Sequence, residues 1–307
     1  MIAYIIRRVL MLVPILLGVS FLVFAIAEIT PGDPVVIMLG NRATPERIAA
    51  LRAELRLDDP FVTRYARFVI AAAQGDLGRS IRGQTPVSKE ILDRLPSTAE
   101  LALAAVIFAT SVGIPIGVIA AQNRGKAVDG AAMVTALVGL SIPSFWLAII
   151  LIIVFGINLK WVSVTGGEGL KDLILPAFTL GLGPTAVLAR LTRSSVLEVK
   201  EEDYVRTARG KGLKERIIQM RHILRNALIP VVTYLGLLFA DLLGGTVFIE
   251  SVFARPGLGR FAINAISARD FPQVQGLVLF IATFYVLMNL FVDLLYGIID
   301  PRIRFVK

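Results

Sequence analysis

Long runs of apolar residues, separated by charged segments, dominate this chain. A helix that crosses a bilayer needs about 20 mostly apolar residues, because each residue advances only about 1.5 Å along the helix axis. Six segments of the sequence meet this requirement. Apart from residues at their ends, the six contain a single charged residue, Asp241. The pattern therefore predicts an all-α integral membrane protein with six transmembrane helices, at about 9–27, 98–121, 131–156, 173–190, 227–249 and 271–293.

The composition supports a membrane assignment and excludes several kinds of chemical site. Hydrophobic residues make up 56% of the chain, mean hydropathy is +0.75, and charged residues make up 18%, whereas soluble domains average about 25% charged residues. The chain has no cysteine and one histidine, His222. A disulfide framework, a thiolate nucleophile and a multi-histidine metal site are therefore excluded.

Lys and Arg residues near the span ends are concentrated in every second segment that connects the spans. Arg7 and Arg8 precede the first span, and the segment between spans four and five is rich in Lys and Arg. Under the positive-inside rule these segments are cytoplasmic, so both termini are predicted to be cytoplasmic. The same rule accounts for the net charge of +9, and no nucleic-acid partner is expected.

The remaining segments complete the predicted domain organisation. Residues 1–97 are predicted to form an N-terminal spanning helix followed by an extracytoplasmic subdomain at about 28–97. Residues 98–299 are predicted to form a five-helix core with a cytoplasmic loop at about 192–225, and 300–307 a cytoplasmic tail. Within the subdomain, Thr44 followed by Pro45 is typical of a helix N-terminus.

The first apolar run also resembles a cleaved signal peptide, because Arg7 and Arg8 precede it and small residues follow. The run Val9–Ala27 is longer than the roughly 7–15 residues of a signal-peptide core. An uncleaved anchor is therefore the expectation.

Motifs for enzymatic chemistry are missing from the sequence. It contains no G-x-x-x-x-G-K-[ST], no H-E-x-x-H and no G-x-S-x-G, which are the signatures of phosphate-binding loops, zinc hydrolases and serine hydrolases. The chain is therefore expected to be a non-enzyme that holds no cofactor of its own.

The loop between spans four and five is the most informative polar segment. Gly210 and Gly212 lie within one helical turn, and each glycine in a helix interior costs about 1 kcal/mol, so a break between two short helices is predicted here. Val205 and Ala208 form one candidate apolar face. A second face is formed at helical spacing by Leu213, Ile217, Met220 and Leu224. Such faces suit a groove on a soluble partner or an anionic lipid surface.

Several ordered strings along the chain resemble the permeases of binding-protein-dependent ATP-binding-cassette importers, in the dipeptide, oligopeptide, nickel and glutathione branch and its first-subunit type. The resemblance covers almost the whole length. The strings are Thr30-Pro31-Gly32-Asp33-Pro34, Gly75-Asp76-Leu77-Gly78-Arg79-Ser80, Glu202-Asp203-Tyr204-Val205-Arg206-Thr207-Ala208-Arg209, Leu224-Arg225-Asn226-Ala227-Leu228-Ile229-Pro230-Val231, Pro256-Gly257-Leu258-Gly259-Arg260, Arg269-Asp270-Phe271-Pro272, Val292-Asp293-Leu294-Leu295-Tyr296-Gly297 and Asp300-Pro301-Arg302-Ile303-Arg304.

The resemblance implies a type I importer permease fold and a set of partners. These are a second homologous permease, two cytoplasmic ATPases that hold ATP and Mg²⁺, an extracytoplasmic solute-binding protein and the bilayer of a bacterial or archaeal cytoplasmic membrane. It also implies that the loop at about 192–225 is the coupling loop on which the ATPases dock. Its members carried over from the family are Asp203, Tyr204, Arg206, Thr207, Ala208, Arg209 and Gly212.

Two residues within the spans are candidates for a translocation pathway. An intramembrane carboxylate usually faces a cavity or a partner, so Asp241 either lines the pathway or bonds to a neighbouring helix. Pro184 either hinges a pathway-lining helix or is ordinary packing. A proton-driven transporter acting through Asp241 and a structural or channel subunit are the alternative functions. Dipeptides, longer peptides, glutathione and nickel chelates all remain open as solutes.

Overall fold

The computed structural model describes residues 2–30, 32–162 and 169–299. Helices joined by short turns and loops make up these ranges, and the only β feature among them is an isolated bridge between Arg79 and Pro86. The helices are α1 Ile2–Ile29, α2 Pro34–Leu39, α3 Pro45–Glu54, α4 Phe61–Ala73, α5 Val87–Gln122, α6 Ala127–Ser141, α7 Ser144–Leu151, α8 Leu170–Lys200, α9 Asp203–Gly210, α10 Glu215–Ile217, α11 Arg225–Ala227, α12 Ile229–Gly245, α13 Val247–Val252, α14 Leu258–Ser267 and α15 Phe271–Ile299, with π-helical turns at Ile152–Asn158 and Ile218–Leu224 and a short 3-10 turn at Gly40–Arg42.

Four of these helices are long and apolar enough to cross a membrane, and two bent pairs raise the number to six. The predicted count of six spans therefore corresponds to four single helices and two bent pairs. The single helices are α1, from Leu10, and α5, α8 and α15.

The predicted third span is sharply bent. The helices Ala127–Ser141 and Ser144–Asn158 meet at 92°, and between them Ile142 has an extended backbone with φ −80° and ψ 119°. Proline disfavours the helical conformation in the residue before it, so Pro143 accounts for the break. The predicted fifth span bends by 44° between the stretches that end at Ala227 and begin at Ile229.

Several helices extend beyond the predicted spans. α5 begins at Val87 rather than about 98, and α8 continues to Lys200, so the first part of the loop predicted at about 192–225 is helix. Hydropathy marks the apolar part of a helix, whereas the backbone hydrogen bonds continue through polar turns. The predicted cytoplasmic tail, 300–307, lies outside the described residues.

One compact unit comprises residues up to Ser97 together with Pro256–Leu290. The predicted cap of α3 is confirmed, because the Thr44 hydroxyl accepts from the Arg47 backbone N–H at 3.4 Å and Pro45 occupies the first turn. A buried core joins α5, α14 and α15. Its members are Val87, Ile91, Leu258, Phe261 and Leu277.

Asp270, which is 1% exposed, ties a loop of this unit to α15. Its carboxylate accepts from the Ser80 hydroxyl at 2.6 Å and from the Ile81 backbone N–H at 2.9 Å. These bonds hold the loop before α5 in place, because a buried carboxylate without donors would be costly.

The other unit comprises Thr98–Arg255 and the chain from Phe291. Here α5 packs closely on α8. A Cβ added at Gly113 would lie 2.7 Å from the Thr185 carbonyl oxygen, and one at Gly117 would lie 2.5 Å from that of Ala189. Gly113 and Gly117, four residues apart on α5, therefore allow the backbones of α5 and α8 to approach closely.

An ion pair fixes α6 against α8 in the same unit. Arg193 donates from Nε to Asp129 Oδ1 at 2.5 Å and from Nη2 to Oδ2 at 2.7 Å. The backbone N–H of Gly125 also donates to Asp129, at 3.0 Å. Such a two-point geometry orients as well as attracts, so the start of α6 is held to α8.

Candidate functional site: the hairpin at residues 203–227

The loop between α8 and α12 folds into a helical hairpin. Its first arm is α9, and its second arm runs through α10, the π-helical turn and α11. Gly212, with φ +74°, separates the arms, because this left-handed conformation is accessible to glycine at little cost. The predicted helix break at Gly210 and Gly212 is confirmed.

The end of the first arm has the Schellman hydrogen bonds. Leu213 N–H donates to Ala208 O at 3.4 Å, and Gly212 N–H donates to Arg209 O at 2.9 Å. These bonds satisfy carbonyl groups at the end of the helix and reverse the chain at a defined angle. The turn is therefore built by local backbone geometry.

The inner side of the hairpin is buried against the chain's own core. Val205 is 0% and Ala208 5% exposed, although the sequence suggested them as a face for a partner. They belong to a cluster that includes Ala121 of α5 and Val196 of α8. Ala208 thus packs the hairpin against the spanning helices of its own chain. A partner protein could contact Ala208 only if the hairpin detached from those helices. The second arm contributes Ile218, Ile223 and Ala227 to the same cluster.

The outer side of the hairpin carries three exposed apolar residues, which we call the outer ridge: Leu213, Ile217 and Met220. Their exposed fractions are 40%, 44% and 63%. Leu224, the fourth member of the predicted face, packs instead against the buried cluster. Exposed arginines accompany the ridge at positions 216, 221 and 225.

Polar contacts stiffen the hairpin from its sides. Arg209 pairs with Glu215 across the turn at 3.0 Å, and hydrogen bonding by Glu215 raises the pKa of Arg209 above its ordinary value. Asn226 Nδ2 donates to the Tyr204 hydroxyl at 2.9 Å and to the His222 carbonyl at 3.0 Å. The Arg209–Glu215 pair and the Asn226–Tyr204 bond join the two arms, whereas the bond to the His222 carbonyl lies within the second arm.

The first turn of α9 remains open to solvent. The side chain of Asp203 is 97% and that of Arg206 71% exposed, and they approach each other at 3.6 Å. Thr207 donates from its hydroxyl to the Asp203 carbonyl at 3.0 Å. The hairpin thus brings all seven predicted loop residues into one small element, with Ala208 on its inner side.

The two predicted pathway residues lie on different helices. Asp241 is exposed on α12, although its neighbours Ala240, Leu242 and Leu243 are buried. Pro184 is half-buried within the uninterrupted helix α8. Asp241 therefore lies on a surface that the chain itself leaves open.

Sequence reasoning missed a buried polar pair beside the spans. Glu250 is 0% exposed and accepts a hydrogen bond from the Thr98 hydroxyl at 2.6 Å. Nearby in the chain, Arg255 pairs with Glu100 at 3.0 Å. The partners are more than 150 residues apart in sequence, so no local sequence pattern predicts either contact.

The arrangement of helices is shared with solved transporter structures. A chain of the MetNI methionine ABC transporter, in inward-facing conformations, matches with a TM-score of 0.57 at 18% sequence identity, over 69% of this chain and 96% of that one. The chain therefore has the fold of a type I ABC importer permease.

The family follows from the sequence comparisons. Residues 113–305 match the binding-protein-dependent transport system inner membrane component, and residues 1–102 match the N-terminal part of such membrane components. The chain belongs to this family of inner membrane transport components. Among residues that the structure describes, no cluster of three or more metal-ligating side chains occurs.

Its relatives include named permeases that match over their full length. The dipeptide transport system permease protein DppB of Escherichia coli (strain K12) is 43% identical over 339 residues, with 100% of both chains covered. The protein of the same name from Alkalihalophilus pseudofirmus is 40% identical, over 99% of this chain and 100% of the relative. A putative peptide transport system permease protein of Brucella abortus is 44% identical over the same shares.

Proposed function

We propose that this chain is the permease subunit of an ATP-driven importer that carries dipeptides or short oligopeptides across the cytoplasmic membrane of a bacterium or archaeon. The observation that carries the proposal is full-length similarity to dipeptide permeases, at 43% identity with 100% coverage of both chains. The hairpin adds a means of coupling, because one side is seated on the spanning helices and the other is exposed.

The hairpin is proposed to transmit force from two cytoplasmic ATPases. Its inner residues pack on the ends of α5 and α8, and close packing transmits displacement because it leaves little room for local relaxation. The outer ridge offers apolar side chains that fit a groove on a partner. ATP and Mg²⁺ would reside on the ATPases, since this chain carries no phosphate-binding loop of the G-x-x-x-x-G-K-[ST] type.

The transport cycle on this proposal is alternating access. Closure of the ATPases would move the hairpin and open the cavity outward, toward an extracytoplasmic solute-binding protein. A second homologous permease would complete the pathway. Both chain termini and the hairpin would be cytoplasmic, as the distribution of Lys and Arg indicates.

Asp241 is proposed to face this pathway or the second permease. A carboxylate on the open surface of a spanning helix is too costly to face lipid. Pro184 on α8 is proposed to line the same pathway, because proline in a spanning helix leaves a backbone carbonyl available.

The decisive experiment compares Met220→Asp in the outer ridge with Glu46→Lys, an exposed charge change on α3. Each full-length variant is affinity-purified in detergent from cells that express the whole transporter. Met220 is 63% exposed, so Asp there should leave the chain folded but place a charge in the apolar contact. We expect Met220→Asp to recover the second permease with at least tenfold less ATPase, and Glu46→Lys to recover both at the wild-type level.

Recovery of the ATPase with Met220→Asp at the wild-type level would refute docking at the ridge. Loss of both partners from Glu46→Lys as well would point to a general assembly defect. Uptake by the wild-type chain without any ATPase would refute the ATP-driven function itself.

A further inference from the structure

Helix α4 has three sides of different character. Its aromatic side chains face α1, where the rings of Phe61 and Phe24 are 5.3 Å apart and those of Phe68 and Phe24 are 5.5 Å apart. A second side carries two arginines: Arg64 pairs with Glu28, and Arg67 pairs with Asp59 at 2.7 Å. All charged and aromatic side chains of α4 lie on these two sides.

The third side of α4, which we call the outer face, is exposed and uncharged. At about 100° per residue, its members fall within an arc of roughly 100°. Val62 is 73% and Ile70 59% exposed. A surface helix in water normally shows the opposite pattern, with charges outward. The outer face consists of Val62, Thr63, Ala66, Ile70 and Ala73.

Helix α3 provides a contrast within the same segment of the chain. Its exposed side chains include Glu46, Arg47 and Glu54, and none of its residues is buried. α3 therefore has the charged surface expected in water, and α4 does not. A difference between neighbouring helices indicates different surroundings.

The contacts of α4 with α1 fix its level along that spanning helix. Tyr65 donates from its hydroxyl to the Leu17 carbonyl at 2.9 Å, and its ring lies 5.7 Å from that of Phe24. The apolar stretch of α1 ends at Ile29. At about 1.5 Å per residue, Leu17 and Phe24 lie roughly 18 Å and 8 Å before that end.

This level lies inside the hydrocarbon part of a bilayer, whose core is about 30 Å thick. At the same level α1 is exposed and apolar on the side turned away from α4, with Leu22 at 60% and Ile26 at 63% exposure, because two residues on either side of Phe24 turn the helix by about 200°. The packed pair of α1 and α4 is therefore exposed and uncharged on both of its outward sides at this level.

We propose that α4 is embedded in the leaflet at the C-terminal end of α1, with its outer face in contact with lipid acyl chains. Arg64 and Arg67 point away from that face and are ion-paired, so the embedded side carries no charge. Part of the segment between the first two spans is then a membrane element rather than a purely aqueous subdomain. The inference depends on α1 spanning the membrane and not on the solute that is carried.

The absence of cysteine from the chain allows a direct test with single labels. Ala66→Cys places a nitroxide label on the outer face, and Ala53→Cys places one on exposed α3 as the matched control. The full transporter is reconstituted in phospholipid nanodiscs, and accessibility to oxygen and to a water-soluble nickel chelate is measured by power saturation. Ile70→Cys serves as a second outer-face variant if Ala66→Cys lowers the yield of folded protein.

We expect the outer-face label to be accessible to oxygen and at least fivefold less accessible to the nickel chelate than the α3 label. A fluorophore at the same position should be quenched by nitroxide groups on lipid tails. Equal nickel accessibility at the two positions would overturn the proposal. Protection from nickel without quenching by the lipid tails would also overturn it, because protein would then cover the face.

Discussion

The contact of Gly117 with α8 allows a prediction whose size follows from distances. A Cβ at Gly117 would lie 2.5 Å from Ala189 O, 2.6 Å from Thr192 Cβ and 3.1 Å from Arg193 N. Two of these atoms belong to the backbone and the third is a β-carbon, so none can rotate away. Ordinary carbon contacts lie at about 3.5–4.0 Å, and Gly117→Ala must therefore push α5 and α8 apart by roughly 1 Å.

Over-packing of this kind costs about 1–3 kcal/mol. We expect Gly117→Ala to lower the apparent melting temperature of the detergent-purified chain by several degrees, measured at one fixed scan rate. The matched control is Gly130→Ala on α6, where an added Cβ meets nothing within 4 Å. This control should be unchanged or slightly more stable, because alanine is favoured over glycine in a helix by about 0.5–1 kcal/mol.

The reasoning would be refuted if Gly117→Ala melted at the wild-type temperature. It would also be refuted if Gly130→Ala were destabilised to the same extent, since the loss would then not come from the close approach of two helices.

Two further predictions concern the hairpin turn and the buried carboxylate. Gly212 has φ +74° and open space around an added Cβ, so Gly212→Asn should keep ATPase recovery and melting temperature near wild type. Gly212→Val should cost about 1–2 kcal/mol of stability and lower both ATPase recovery and melting temperature. Equal behaviour of the two variants would contradict a left-handed backbone at this turn. Asp270→Ala leaves the Ser80 hydroxyl and Ile81 N–H without their acceptor, at about 1–3 kcal/mol for each buried group. It should lower the melting temperature and speed limited proteolysis of the loop before α5, while Asp76→Ala, at an exposed position, should change both much less; the reverse order would contradict the account of Asp270.

Local features of the fold were predictable because each depends on a few adjacent residues. Thr44 before Pro45 predicted the start of α3, and the glycine pair in the loop between spans four and five predicted the hairpin turn. Both were confirmed by hydrogen bonds or backbone angles that involve residues at most five positions apart. The membrane-spanning segments were predictable for a similar reason, since partition into a bilayer sums over the residues of one segment.

The positions of helix ends and bends were less accessible to sequence reasoning. α8 runs to Lys200, and the third span bends by 92° at Pro143. A proline within a span is visible in the sequence, but its effect depends on whether neighbouring helices support a continuous span or a broken one.

Which faces are covered was decided only by the tertiary structure. The hairpin has two apolar faces, and the sequence offered both to a partner. In the fold, Val205 packs with Ala121 and Val196, whereas Met220 stays exposed. Likewise, the pairing of Thr98 with Glu250 and of Ser80 with Asp270 joins residues 152 and 190 positions apart. The sequence by itself determines which segments leave water, because that free energy is local, but the choice of covered face depends on distant residues that meet only when the helices have packed.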